Sequence, residues 1–272
     1  MIEGPGVIDS LPARIYDGAL WRDGDLPIIR EITLEIFVNG GKIISLACTG
    51  HHLDELAIGF LRSERIITDR KAIGKIEVDA ARKQVFIETV TPVPLSSEGG
   101  YFSKAIAASG ARSSAPAQEG GRRGPSLARG DRKRLSGSLT VSAGTALALM
   151  EELLDSALLH EATRGTHCSG LADTKILLCC REDIGRHNTI DMLGGYALLA
   201  DLNCRDKIIL TTGRISTEIV QKVWNLGIPV IISHSAPTSG AIALLLKAGI
   251  TLIGYVRGGK MNVYAHRDRV IF

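Results

Sequence analysis

Between residues 175 and 256, short runs of β-branched and aliphatic residues alternate with stretches of helical periodicity. This alternation constrains the chain more than any other feature of it. Strands are expected at 175–181, 207–211, 230–233 and 251–256, with helices at 186–200, 215–226 and 239–248 between them. Strict succession of strand and helix implies right-handed β-α-β crossovers, and hence a mostly parallel sheet covered by helices. A helix over 144–160 precedes this unit, residues 163–173 read as a loop, and 262–264 with 269–271 read as a terminal hairpin.

The N-terminal pattern differs. Apolar and polar residues alternate over 31–38 and again over 42–48, and Asn39-Gly40-Gly41 between them supplies the positive-φ residues of a tight turn. Leu53, Leu56, Ala57, Phe60 and Leu61 then share one face of a helix, and two short strands follow at 75–79 and 84–89. Residues 20–95 therefore read as a small α+β domain of antiparallel strands. Between Lys104 and Arg134 eight basic residues face two acids in a Gly-, Ser-, Ala- and Pro-rich context that cannot order itself by apolar burial. Residues 96–137 read as a mobile basic linker and 138–272 as the α/β domain.

Composition excludes several classes. Hydrophobic residues at 45% and charged residues at 22% rule out disorder of the whole chain, and a net charge of +3 is too small to argue for nucleic acid. No apolar run approaches the ~18 residues of a membrane helix, and the opening residues lack the basic and apolar regions of a signal peptide, so a cytoplasmic location is expected. Five cysteines without framework spacing read as thiols.

Polar residues concentrate at the strand ends. Residues 163–191 hold a His-Cys pair, an Arg-Glu-Asp triplet and a Gly-Arg-His-Asn quartet around one apolar run. In a parallel sheet the strand-to-helix turns lie on the carboxyl edge, so the turns at 181–188, 211–216 and 233–240 converge there. Each opens a helix, whose free N–H groups, with Ser and Thr hydroxyls and Arg side chains, suit a phosphate. Taken singly each turn reads as ordinary capping, with Ser, Thr and Pro237 where helix starts favour them. Arg186, Arg214 and Arg257 on one edge are not explained by capping, because gathered cations are costly to desolvate unless an anion compensates.

The segments GRHNTID after RED, TTGRISTEIVQKVWNLGIPVIISHSAPTSGA and TLIGYVRGGKMNVY, with VNG, LACTGHHLDELAIGFLRSERII and TRGTHCSGLA upstream, resemble the formate dehydrogenase accessory sulfurtransferase family, FdhD. The resemblance runs over about residues 31–264. It implies a cytidine-deaminase-like three-layer α/β/α sandwich with a small N-terminal domain, commonly a homodimer. It further implies sulfur received as a persulfide from a cysteine desulfurase and passed to the molybdenum bis(molybdopterin guanine dinucleotide) cofactor of formate dehydrogenase, with GDP as a ligand analogue. The family's cofactor segment matches Tyr255, Val256, Arg257, Gly258, Gly259 and Lys260. Arg186, Arg214, Ser235 and Thr238 belong to the edge that the turns define.

One departure bears on the chemistry. The family typically carries a Cys-x-x-Cys pair between its two domains, and this chain has no cysteine there. Persulfide transfer needs a reachable thiolate. Cys179 and Cys180 alternate on a strand and read as core, Cys204 as a surface-loop thiol, and Cys48 as a buried strand end. Cys168, beside His167 in a Gly-flanked loop, is the candidate for the sulfur-bearing residue, with His167 as its partner. Two functions follow: a sulfurtransferase acting through Cys168, or a cysteine-independent protein that binds the molybdenum cofactor or a guanine nucleotide. An unrelated nucleotide hydrolase would need an activated nucleophile that the sequence lacks. Smaller departures are Gly50 for a usual proline, Arg164 for a usual glycine, and Gly240 for a bulkier residue.

Zinc deaminases of similar fold need a His-x-Glu and a Cys-x-x-Cys, and neither occurs in this chain. No metal site is expected. Elemental analysis of the purified protein should find zinc well below stoichiometric, and an equimolar content would reverse this reading.

Overall fold

The computed structural model describes residues 6–92 and 132–271. Its centre is a six-stranded mixed sheet ordered β13-β12-β11-β10-β8-β9. The strands are β8 (His167–Ala172), β9 (Leu177–Asp183), β10 (Ile208–Thr211), β11 (Val230–Ser233), β12 (Thr251–Arg257) and β13 (Lys260–Ala265). β10, β11 and β12 run parallel, joined through α5 (Thr217–Leu226) and α6 (Ser239–Ala248), as the alternation predicts. The expected loop over 163–173 is instead β8, inserted antiparallel between β9 and β10. β9 consequently points the same way as β10, so four carboxyl ends and the start of β8 share one edge.

Helix α2 (Ala143–Asp155) lies on one face of this sheet, burying Leu149, Met150 and Leu153 with Ile208, Leu210, Val230 and Ile232. On the other face α4 (Arg186–Leu199), α5 and α6 bury Ile190, Leu193, Val220, Val223 and Leu245 against Ile209, Ile231 and Leu252. The expected helix over 144–160 ends at Asp155. A short helix, α3 (Leu158–Thr163), follows, because the Glu182 carboxylate accepts hydrogen bonds from the Leu159 and His160 N–H groups and starts a new helix there. The expected terminal hairpin is also corrected. β13 pairs with β12, while β14 (Val270–Ile271) runs parallel to β7 (Val141–Ser142).

The N-terminal sheet has the order β4-β3-β6-β5, from β3 (Ile32–Val38), β4 (Gly41–Cys48), β5 (Ile73–Asp79) and β6 (Gln84–Thr89). Asn39 and Gly40 take φ of 49° and 80°, the primed-turn conformation expected of them. β6 runs parallel to β3, so the sheet is mixed where antiparallel strands were expected. Ahead of it β1 (Ile8–Tyr16) and β2 (Trp21–Ile29) form an antiparallel ribbon that the sequence pattern did not reveal. The expected linker lies outside the described residues up to 131. Residues 132–135 are already docked, with Arg132 5.4 Å over the Trp224 ring and the Leu135 N–H donating to Ala248 O.

Helix α1 (Leu53–Ser63) joins the two sheets by packing on α4. A Cβ on Gly59 would overlap the Asp191 carbonyl, and one on Gly195 would overlap that of Glu55. The two helices therefore touch backbone to backbone. Eleven of the 14 residues of α4 are buried, because Ile190 and Leu193 face the six-stranded sheet while Met192 and Leu198 enter the core of the N-terminal sheet. Gly59→Ala is expected to force the helices apart and cost about 3 kcal/mol, read as a lowered denaturation midpoint in urea.

Candidate functional site

The polar residues around β9 divide into ties and a site. Arg181 makes two hydrogen bonds to Glu55, at 2.6 and 2.8 Å, and its guanidinium lies 5.2 Å from the Tyr196 ring centroid. Asp183 is fully buried and accepts from Thr49 N–H at 2.8 Å, Thr49 Oγ1 at 3.1 Å, Gly185 N–H at 2.9 Å and Asn188 Nδ2 at 2.7 Å. Burial pushes its carboxyl pKa up, against the pull of these donors. Asn188 also donates to Ala47 O at 2.7 Å. Asp191 accepts from Ser63 Oγ at 2.5 Å and takes Lys222 Nζ on both oxygens at 2.7 Å. These groups hold the N-terminal sheet and α1 to the larger unit.

Asn188 is therefore spent on structure rather than on an edge-bound ligand. His187 is likewise buried, with Nε2 3.2 Å from the Glu218 carboxylate.

The edge itself is cationic. Arg186 opens α4, and its aliphatic stem lies on Gly213, where a Cβ would come within 2.9 Å of it. Its Nε is buried and has no hydrogen-bond partner among the described residues. Burial and then the neighbouring charge of Arg214 lower its pKa, with Glu218 opposing. His167, at the start of β8, reaches the same corner: burial, then Arg186, then His160 lower its pKa. Further along, burial and Arg257 lower that of His234. The sequence-predicted cations thus do meet at one edge, in two groups.

The turns beneath are zippered. Ser235 Oγ donates to Thr212 O at 2.9 Å, Ser233 Oγ donates to Gly213 O at 3.0 Å, and the Tyr255 N–H donates to Ser235 O at 3.0 Å. Thr238 accepts from the Ala241 N–H as the cap of α6, and Ser216 caps α5. Gly258 and Gly259 take φ of 57° and 69° in the two-residue turn between β12 and β13, where a side chain would meet open space. Conformation demands glycine there. Arg257 lies 3.7 Å over the Tyr255 ring, and Lys260 is exposed. Val256 points into the core, so its side chain is withdrawn from the edge.

The thiols fall differently from expectation. Cys168 is fully buried on a strand rather than exposed in a loop, because β8 pairs on both sides. Cys204 is buried rather than on the surface, packed among the residues of α4 and α5, with Arg62 Nη2 3.8 Å from its sulfur. Burial pushes the Cys48 thiol up to about 12 and the Cys179 thiol up to about 11. Cys180, expected to be core, is only partly buried and lies diagonal to Cys168 on the α2 side of the sheet. Strand alternation alone could not reveal that, since it depends on the register of β8 against β9.

Fold and edge together define an α/β protein with a helix–sheet–helix body and a cationic carboxyl edge. Residues 29–271 match the model of the FdhD/NarQ family, and the chain belongs to that family. It is 35% identical over 253 residues to the sulfur carrier protein FdhD of Bacillus subtilis, covering 89% of this chain and 90% of that protein. It is also 35% identical over 260 residues to its namesake in Geobacillus kaustophilus, covering 96% of each. A crystal structure of a candidate formate dehydrogenase accessory protein from Desulfotalea psychrophila shares the fold, with a TM-score of 0.77 at 22% identity over 98% of this chain and 100% of that one.

Asp183→Ala would strand the Thr49, Gly185 and Asn188 donors in the interior. A loss of about 3 kcal/mol in unfolding free energy is expected, measured by equilibrium denaturation.

Proposed function

We propose that this protein is a formate dehydrogenase accessory protein that binds the molybdenum bis(molybdopterin guanine dinucleotide) cofactor as cargo on its cationic edge. In this reading it delivers to the cofactor sulfur taken from a cysteine desulfurase, and works in the cytoplasm as a homodimer. The observation that carries the binding half is Arg186, whose buried Nε lacks a partner while Arg214 presses its own charge on the same corner. A half-buried cation with an unused buried donor is costly without an anion, and a pyrophosphate would satisfy both. Arg257 and Lys260, flanking the Gly258-Gly259 turn, would hold the second phosphate group or the guanine end. The sulfur half draws on the relatives, which are named sulfur carrier proteins. Classification of the sandwich as cytidine-deaminase-like belongs to the same reading, supported by helices on both faces of the sheet.

A second reading, binding and delivery without sulfur transfer, is favoured by one observation: the chain has no cysteine between Cys48 and Cys168. Formate dehydrogenase activation by the Cys168→Ala variant separates the two. Unchanged activation leaves Cys168 without a part in sulfur delivery, whereas its loss supports the transfer reading.

Calorimetric titration with GDP tests the edge. Arg186→Ala, Arg257→Ala or Lys260→Ala is expected to weaken binding by about 2 kcal/mol, near thirtyfold, the scale of a charged hydrogen bond. Full affinity in all three variants would remove this edge from the site.

A further inference from the structure

The pairing of β8 with β9 sets Cys168 opposite Glu182 and Gly170 opposite Cys180. Residues two apart on a strand share a face, so Cys168 and Cys180 are diagonal neighbours on the side covered by α2. Glycine at 170 leaves the intervening position without a side chain. Both thiols belong to the cluster buried beneath α2. Cys168 is closed from solvent, whereas Cys180 lines a pocket of about 180 Å³ together with His51, His52, Ser156 and Glu182. The Nε2 of His51 is buried there without a hydrogen-bond partner. Glu182 is already engaged by the Leu159 and His160 N–H groups and by Thr166 Oγ1, so it holds one wall of the pocket in place.

The inner thiol is connected to the cationic edge. The Cys168 N–H donates to Thr212 Oγ1 at 3.1 Å and the Thr212 N–H donates to Cys168 O at 3.0 Å, while Thr212 O receives the Ser235 hydroxyl. A pocket, a half-open thiol, a buried thiol and the edge loop thus form one sequence of contacts.

Resting on the sulfur-transfer reading, we propose that Cys180 is the entry point for sulfane sulfur, presented in the pocket as a persulfide, and that Cys168 is the second station. The Cys180 proton passes to a base, for which the unpartnered nitrogen of His51 is available. The Cys180 thiolate then attacks the terminal sulfur of a donor R–S–SH, forming Cys180–S–SH and releasing R–S⁻, which takes up a proton. The Cys168 thiolate next attacks that terminal sulfur, forming Cys168–S–SH and returning Cys180 as thiolate. In each step one S–S bond forms as another breaks, so no external oxidant or reductant enters. The neighbouring Cys180 is the largest influence lowering the pKa of Cys168, which favours Cys168 as the thiolate of the second step, whereas Cys168 and burial raise that of Cys180, so the first step depends on a base to take the Cys180 proton. The pair releases one proton and retains the other.

The test uses the full chain incubated with glutathione persulfide, alkylated, and mapped by mass spectrometry for the added sulfur. Wild type should carry sulfur on Cys180 and Cys168. Cys168→Ser should confine it to Cys180, and Cys180→Ser should lower total loading by about tenfold or more. GDP binding should be retained in both variants, showing that they fold. Loading of Cys168 that survives Cys180→Ser, or sulfur found only on Cys48, Cys179 or Cys204, would overturn the entry site. The sulfur-transfer reading is checked separately, by formate dehydrogenase activation with a cysteine desulfurase and cysteine. Wild-type activation that Cys180→Ser leaves intact would sink this inference alone, whereas no activation and no persulfide in wild type would sink both.

Discussion

A buried carboxylate without an ion-pair partner is among the more expensive groups a protein can hold, and Asp183 is one. It is kept by four hydrogen bonds, two from Thr49 at the end of the N-terminal sheet and two from the turn that opens α4. Each donor comes from a segment that must be in place before the others are satisfied. The position of the N-terminal sheet, the start of α4 and the orientation of Arg186 are therefore coupled through this one group. Deforming any of them leaves a buried donor or charge without its partner.

The same junction explains why α4 has so weak an apolar stripe. It is buried on opposite sides, by the six-stranded sheet and by α1; residue 195 is glycine where α1 crosses at backbone contact, and a Cβ at residue 194 would press on the Leu226 side chain of α5. Polar residues survive on such a helix only by being used. Asp191 takes Ser63 and Lys222, and Asn188 takes Asp183 and Ala47. The polar density that marks residues 163–191 in the sequence is largely the hardware of an internal interface.

The alternation over residues 175–256 was legible because crossover helices and buried strands have different periods, and the structure follows it within a residue or two at α5, β11, α6 and β12. β8 was hidden. His-Cys-Ser-Gly-Leu-Ala has small residues and no alternation, since both its faces are buried and both its neighbours are strands. The break between α2 and α3 was hidden too, because it depends on Glu182, which is remote in sequence. The cationic edge could be inferred from residue types alone. Which of its residues face outward could not, as Val256, His187 and Asn188 show: only tertiary packing turns them inward.

The two candidate chemistries need opposite surroundings, and the fold separates them. Phosphates require exposed or half-exposed cations and backbone turns, which the carboxyl edge supplies with Arg186, Arg214, Arg257 and Lys260. A persulfide requires shelter from water and from stray thiols, which a small pocket and a buried second thiol supply on the α2 side. Thr212 touches both, hydrogen-bonded to Cys168 below and to Ser235 above. The loop that carries the edge is therefore fastened to the strand of the inner thiol by the reciprocal hydrogen bonds of Thr212 and Cys168, so the two regions are separate in surroundings but adjacent in the backbone.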